Sequence, residues 1–225
     1  EPVKSEVGLG VLDAKQVNLV LHGHEPLLAE MVVEASRDPQ LLARAAELGA
    51  EGINLAGICC TANEMLMRRG IPVAGSFLQQ ELAIATGVVD AMVVDVQCVM
   101  QALVGVAAGF HTLLLTTSEQ AHIEGATHEP FDHHNAPEAA RRLVSRAVEN
   151  FCNRAEEPLV PADRTDLVAG FTHESVKYML GGAFRASYVP LNDNIINGRI
   201  LGVAGVVGCG NPRAAGQDQT VELVR

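Results

Sequence analysis

Soft metal ligands follow four short apolar runs in this sequence of 225 residues. Each run has the length and composition of a β-strand, and the runs cover residues 17–21, 52–58, 91–96 and 202–208. The residues that follow them are His22 and His24, Cys59 and Cys60, Cys98, and Cys209. In an open parallel α/β sheet the carboxyl ends of the strands share one rim, here called the carboxyl rim, where such folds bind ligands. Imidazoles and thiols would converge there, which predicts a metal site.

The ligand types narrow the choice of metal. Thiolates combined with an imidazole suit zinc, iron–sulfur or nickel chemistry. Calcium and magnesium are disfavoured because no carboxylate cluster accompanies the cysteines. The sequence has neither a Cys-X-X-Cys pair nor a Gly-X-Gly-X-X-Gly loop after the first of these runs, which argues against a zinc ribbon and a nucleotide site. A single cysteine at a strand end is usually a packed small residue, so a nonmetal binding module is the competing interpretation.

The order of elements predicts how these ligands are positioned. Strands alternate with helices, which is typical of an α/β, Rossmann-like open parallel sheet with helices on both faces. Helices are predicted at 26–36, 39–48, 63–69, 77–86, after Cys98 to about 108, at 137–152 and at 173–180, and further strands at 71–74, 112–116 and near 168. We expect residues 1–225 to form the central domain of a longer chain, with a break near 156–166. Cys152 continues the apolar face of its helix and is predicted to be a buried thiol.

Composition excludes several classes of function. Hydrophobic residues make up 48% of the chain, but aromatic residues only 4%, so the core must be built from aliphatic side chains. The net charge of −11 argues against nucleic-acid binding. The sequence has no uninterrupted apolar stretch of about 18 residues, so no membrane span is predicted. The odd number of cysteines, the lack of a secretory signal and the α/β pattern favour a cytoplasmic protein with reduced thiols.

Several motifs resemble the nickel-iron carbon monoxide dehydrogenases through nearly the whole chain. The four main segments are 21–26, 57–64, 90–98 and 207–212, and segments 69–72 and 193–198 match as well. The resemblance implies that His24 and Cys60 bind the pendant iron of a nickel-iron-sulfur cluster of the Ni-4Fe-4S type. It also implies that Cys98 and Cys209 bind irons of the cubane part. His22 and Cys59 then become neighbours of the cluster and not its ligands.

The same resemblance implies an activity and partners. The reaction is CO + H₂O ⇌ CO₂ + 2H⁺ + 2e⁻, with electrons passed to a ferredoxin-like acceptor from an enzyme that is a homodimer. Coupling to acetyl-CoA synthase stays open. Two further cysteine ligands and a catalytic lysine would follow this chain, and 4Fe-4S clusters with an acid–base histidine would precede it. We therefore expect no catalytic residue within these 225 residues and no activity from the isolated fragment.

Two related alternatives remain. A hybrid-cluster protein of the hydroxylamine reductase type shares the expected architecture, but it would need a glutamate as an additional cluster ligand. The cysteine spacing here fits the dehydrogenases better. An inactive metal-binding homologue would keep the motifs of this domain without the remaining ligands.

Overall fold

Strands and helices alternate along most of the chain. The structure is a computed structural model and describes residues 2–97, 100–155, 157–185, 187–206 and 219–225. The strands are β1 (Val3–Val7), β2 (Val17–His22), β3 (Ile53–Ile58), β4 (Val73–Gly75), β5 (Val89–Val94), β6 (Leu113–Thr116), β7 (Thr127–His128) and β8 (Thr165–Ala169). The helices are α1 (Pro26–Ala35), α2 (Pro39–Glu47), α3 (Cys59–Arg69), α4 (Gln80–Ala85), α5 (Leu103–Ala107), α6 (Ala136–Asn150), α7 (His173–Leu180), α8 (Val189–Ile196) and α9 (Gln219–Val224).

The strand order β7-β6-β5-β2-β3-β4-β1-β8 defines a doubly wound sheet. From β2 the chain moves outward through β3 and β4, then returns to place β5 on the other side of β2 and continues to β6 and β7. Neighbouring strands from β7 to β1 are parallel. Only β8, at one edge of the sheet, is antiparallel to its neighbour, β1. The order reverses between β2 and β5, and this switch point is where open α/β sheets form their ligand-binding crevice.

Alternate side chains of the central strands pack into two separate cores. Leu19 and Leu21 of β2 face a core formed with α1, α2 and α6, whereas Val20 faces a core that includes residues of α4 and α5. Successive residues of a strand point to opposite faces of the sheet. Because both faces are covered by helices, the central strands β2 and β5 are buried along their whole length and are mostly apolar. The predicted α/β fold with helices on both faces is confirmed.

A polar network fixes the opposite end of the sheet, where the strands begin. Asp90 of β5 is fully buried, and its carboxylate accepts hydrogen bonds from Nε (2.9 Å) and Nη2 (2.6 Å) of Arg154. The Asn18 backbone N–H donates to the same carboxylate at 2.7 Å. Arg154 also donates to the carbonyl oxygens of Ala14, Gln16 and Val88. These bonds satisfy a buried charge and attach the chain segment after α6 to the sheet.

Two predictions about the later part of the chain are wrong. Residues 202–206 were expected to form a strand, but they have no regular structure and are largely exposed; residues 207 and 208 of that run lie outside the described part of the chain. Cys152 was expected to be buried and is exposed. Helix α6 ends at Asn150 and Phe151–Asn153 form a 3₁₀ turn, whose tighter winding rotates Cys152 away from the buried face of α6.

Strand β1 was not predicted from the sequence, since three polar residues, Lys4, Ser5 and Glu6, separate Val3 from Val7. Within the described ranges, no helix has the length and apolarity needed to cross a membrane.

Candidate metal centre at the carboxyl rim

Three neighbouring strands end at the same part of the carboxyl rim, and two of the predicted ligands, His24 and Cys60, follow two of them. Strand β2 lies between β3 and β5, and its last residue, His22, is in register with Ile58 of β3 and Val94 of β5. His24 follows β2, and Cys60 lies in the first turn of α3, directly after β3. Gln97, three residues beyond β5, is the last described residue before Cys98. The loops after β2, β3 and β5 therefore lie side by side at the switch point.

A buried carboxylate joins the loop after β2 to the loop after β5. Asp95 is 2% exposed, and its Oδ1 accepts the backbone N–H of His24 at 2.6 Å while its Oδ2 accepts the N–H of Glu25 at 3.1 Å. A further short hydrogen bond reaches Oδ1 from the Val96 N–H. Three backbone donors thus converge on one side chain. A carboxylate suits this position because both of its oxygens are acceptors.

The loop after β2 requires a glycine where it passes this carboxylate. Gly23 has φ 140°, and a Cβ at this position would overlap the carboxylate of Asp95. Burial raises the pKa of the Asp95 carboxyl, whereas the hydrogen bonds from the N–H groups of His24, Val96 and Glu25 act in the opposite direction. The two loops can therefore approach closely because Gly23 has no side chain and because the buried Asp95 carboxylate accepts their N–H groups.

The orientation of the His24 imidazole fits a metal ligand. Its Nδ1 lies 3.2 Å from the carbonyl oxygen of Val96. Because a carbonyl can only accept, this contact places a proton on Nδ1, and in the neutral ring the lone pair is then on Nε2. Metal-binding histidines typically donate their second ring N–H to a carbonyl or carboxylate in this way. The half-buried His24 is thus held in the tautomer that can bind a soft or borderline metal through Nε2.

A tight turn places Cys60 beside the His24 loop. Cys59 opens α3 with φ 64°, a left-handed conformation, and it is 9% exposed, whereas Cys60 is exposed. The N–H of Thr61 donates to the carbonyl oxygen of Gly23 at 2.8 Å, which links the start of α3 to the loop after β2. The two adjacent cysteines therefore differ in environment, with Cys59 packed against the sheet and Cys60 at the surface of the rim.

The packing of α3 on β3 explains why this turn is so tight. A Cβ at Gly57 would lie 2.6 Å from the Ala62 Cβ and 2.9 Å from the Met65 Cε. Glycine at 57 and a small residue at 62 let the helix backbone rest directly on the strand. Cys60 is consequently held close to the end of β3.

The two histidines near the end of β2, His22 and His24, lie in different environments. His22 is the last residue of β2 and is fully buried. Strand alternation places it on the same face as Val20, towards the core formed with α4 and α5. His24 lies beyond the strand, in the loop, so only the second histidine of the motif lies at the carboxyl rim outside the sheet.

The described residues contain two of the four predicted ligands. Cys98 and Cys209 lie outside the residues that the structure describes. Within the described ranges, no group of three or more histidine, cysteine, aspartate or glutamate side chains is arranged to hold a metal ion. His24 and Cys60 supply the imidazole and thiol types that nickel and iron–sulfur sites use, so the donor chemistry at the rim fits the predicted cluster.

Two features of this site were not found from the sequence. Asp95 could have been singled out, because it interrupts an apolar run just before Gln97. His133 was left unassigned, and it lies near the His24 loop, with its Nε2 3.4 Å from Oε2 of Glu25. No sequence signal pairs His133 with a residue more than a hundred positions earlier, since this contact depends on the folded arrangement of the loops.

Comparison with known proteins gives a consistent result. The model of the Prismane/CO dehydrogenase family matches residues 1–225. The chain is 48% identical over 226 aligned residues to carbon monoxide dehydrogenase 1 of Methanosarcina mazei, and the match covers all of this chain and 35% of that protein. It superposes on carbon monoxide dehydrogenase IV from Carboxydothermus hydrogenoformans with a TM-score of 0.84 and 47% identity, covering 95% of this chain and 34% of the other.

A second solved structure is an acetyl-CoA synthase/carbon monoxide dehydrogenase with NiZn[Fe4S4] and NiNi[Fe4S4] clusters in closed and open alpha subunits. It matches with a TM-score of 0.85 and 44% identity, covering 94% of this chain and 32% of that one. The chain thus spans about a third of the length of each of these relatives.

Proposed function

Because this chain belongs to the Prismane/CO dehydrogenase family, we propose that it is the central Rossmann-like domain of an anaerobic nickel-iron carbon monoxide dehydrogenase. In this proposal His24, Cys60, Cys98 and Cys209 are ligands of a nickel-iron-sulfur cluster. The observation that carries it is the placement of His24 and Cys60 in adjacent loops at the switch point, joined by the Thr61–Gly23 hydrogen bond. The resemblance of the motifs to carbon monoxide dehydrogenases agrees with the relatives found by comparison.

The proposed activity belongs to the full-length enzyme, which interconverts CO and water with CO₂, two protons and two electrons. When bound, the cluster supplies the redox chemistry that activates CO and water. This chain contributes neutral imidazole from His24 and thiolate from the cysteines, and the Val96 carbonyl keeps the His24 proton on Nδ1. Asp95 keeps the two loops at a fixed distance. The rigid strand ends hold these donors in place before metal binds, as a precise metal site requires.

The wider assembly is part of the same proposal. We expect a homodimer that passes electrons to a ferredoxin-like acceptor through 4Fe-4S clusters in the preceding region. A partnership with acetyl-CoA synthase is supported by the second solved structure, which is an acetyl-CoA synthase/carbon monoxide dehydrogenase. We place a domain break near 156–166, between the 3₁₀ turn after α6 and β8.

The test uses the full-length protein, produced without oxygen and with nickel. We expect CO-dependent reduction of a redox dye, together with nickel and iron bound to the protein. His24→Ala and Cys60→Ala should each abolish turnover and lower the iron content. Cys152→Ser is the matched control, because Cys152 lies at the other end of the sheet, near the start of β5.

Three results would contradict parts of this proposal. A metal-loaded protein that reduces hydroxylamine but does not oxidise CO would favour the hybrid-cluster alternative. A loaded protein without either activity would identify an inactive homologue. Loss of iron with Cys59→Ala, but not with Cys60→Ala, would show that the ligand is the first cysteine of the pair.

A further inference from the structure

The residues that directly precede three of the predicted ligands, His24, Cys60 and Cys98, have a left-handed backbone conformation. The residue before the fourth ligand, Cys209, lies outside the described part of the chain. Gly23 before His24 has φ 140°, Cys59 before Cys60 has φ 64°, and Gln97 before Cys98 has φ 60°. Among the described residues, Cys59 and Gln97 are the two non-glycine residues with positive φ. Both residues directly precede a predicted ligand, and they follow two different strands, β3 and β5. This connects the left-handed conformation to the site.

This conformation is disfavoured for any residue that carries a Cβ. It persists where the surrounding structure determines the backbone, and such residues cluster at functional sites. Both turns are determined in this way. The turn at Cys59 is fixed by the packing of α3 on Gly57 and by the Thr61–Gly23 hydrogen bond. The turn at Gln97 follows the contacts of Asp95 and Val96 with the His24 loop.

The geometry of a strand explains what the left-handed residue does. Along a strand, successive side chains alternate between the two covered faces, so a ligand that continued the pattern would point into one of the helical layers. A single left-handed residue breaks this alternation and turns the chain across the carboxyl rim. The next side chain then leaves from the turn and not from the strand.

We infer that Cys59 and Gln97 are positioning residues of the proposed cluster site, and that they act through their left-handed backbone and not through their side chains. At Gln97 the side chain is exposed, so side-chain packing does not account for the conformation of that residue. The inference rests on the proposed function, since it concerns the placement of Cys60 and Cys98 as ligands.

The inference predicts an unusual order of substitutions. Glycine adopts positive φ at little cost, whereas a β-branched residue is an outlier there. In the anaerobically produced full-length protein, Gln97→Gly and Cys59→Gly should retain the nickel and iron content and the iron–sulfur absorbance of the unaltered protein. Gln97→Val and Cys59→Val should lower the metal content on the order of tenfold, because the loop conformation that binds metal becomes rarer by about that factor. The alanine variants should fall between them.

A matched control separates this effect from general damage. Gln101→Val makes the same exchange as Gln97→Val, at an exposed residue near the same loop. The φ of Gln101 is not positive, so this change should leave the metal content unchanged. If the valine variants fail to fold, the glycine variants still decide the question, by metal content and melting temperature. Retention in the glycine variants supports the inference, and loss of metal from them overturns it, because only a side-chain role predicts that loss.

The failure of the proposed function looks different. An unaltered full-length protein that binds no nickel and oxidises no CO would refute the proposed function. An unaltered protein that is loaded and active, combined with glycine variants that lose metal or valine variants that keep it, would refute only the positioning role.

Discussion

The carboxylate of Asp95 accepts the backbone N–H of His24 across 2.6 Å, which ties the end of β5 to the loop that follows β2. These two residues are 71 positions apart in the chain and meet at the point where the strand order reverses. The predicted histidine ligand is therefore positioned by a residue that is not itself a predicted ligand.

Asp95→Asn tests this relationship with an almost isosteric change. The amide keeps one acceptor oxygen but replaces the other with an NH₂ group, which would face the N–H of His24 or Glu25. A buried donor left without an acceptor costs about 1–3 kcal/mol. We expect the 225-residue chain to be destabilised by that amount in chemical denaturation, and the full-length variant to lose nickel and CO oxidation.

Asp166→Asn is the control, because Asp166 is 64% exposed and pairs with Lys4 at the surface. It should change stability and metal content little, since exposed ion pairs contribute about 0–1 kcal/mol. Unchanged metal content in Asp95→Asn would show that the loop after β2 does not need this carboxylate.

Much of the site could be anticipated because strand ends are local features of the sequence. Three of the apolar runs correspond to strands that end at His22, Ile58 and Val94, and the topology of parallel sheets then places their loops on one rim. The run at 202–206 has a similar composition, yet it does not join the sheet. Composition alone does not distinguish a buried strand from an exposed apolar segment.

The remaining features depend on tertiary structure and were not predictable. The three N–H donors around Asp95 come from two loops that are distant in sequence. The left-handed conformations of Cys59 and Gln97 contradict the intrinsic preference of both residue types. The exposure of Cys152 depends on a change from α to 3₁₀ winding at the end of α6, which an apolar period does not reveal.

Gly57→Ala should destabilise the turn that carries Cys60. The added methyl group would lie 2.6 Å from the Ala62 Cβ, so α3 must move away from β3. Overpacking of this kind typically costs about 1–3 kcal/mol. The measurement is a denaturant midpoint for the 225-residue chain. Gly202→Ala is the matched control, because a Cβ at position 202 meets no atom of the described residues within 4 Å, and equal effects of the two changes would rule out the steric explanation.

Arg154→Ala should be among the more destabilising single changes at the opposite end of the sheet. It leaves the fully buried Asp90 carboxylate without its cationic partner, and breaking a buried pair costs about 3–5 kcal/mol. Arg154→Lys should restore little, because an ammonium group cannot reproduce the planar fork that bonds both oxygens of Asp90. By contrast, Arg142→Ala removes a partly exposed pair with Glu129 and should cost no more than about 1 kcal/mol.

Cys152 should react rapidly with a thiol reagent in the native 225-residue chain. Its side chain is exposed in the 3₁₀ turn after α6, although the Sγ lies 3.3 Å from the carbonyl oxygen of Glu149. Peptide mapping after brief alkylation should show modification at Cys152 well before the buried Cys59. Protection of Cys152 under native conditions would mean that another part of the chain covers this turn.

The isolated 225-residue chain should not oxidise CO and should bind far less than stoichiometric nickel. The resemblance to carbon monoxide dehydrogenases implies two cysteine ligands beyond the four ligands assigned here, and the other two cysteines of the chain are Cys59 and Cys152. Cys59 is packed into a core of the sheet. Cys152 cannot substitute for them. The neighbouring Asn150 donates hydrogen bonds to the carbonyl oxygens of Asp90 (2.7 Å) and His111 (2.8 Å), near the starts of β5 and β6 and away from the carboxyl rim.

The rim of the isolated chain would still present an imidazole and thiols, a set that binds zinc or iron at neutral pH. Elemental analysis should therefore find substoichiometric zinc or iron that is lost in His24→Ala and in Cys60→Ala but retained in Cys152→Ser. Stoichiometric nickel together with CO-dependent dye reduction by the isolated chain would show that these residues already contain a complete cluster site.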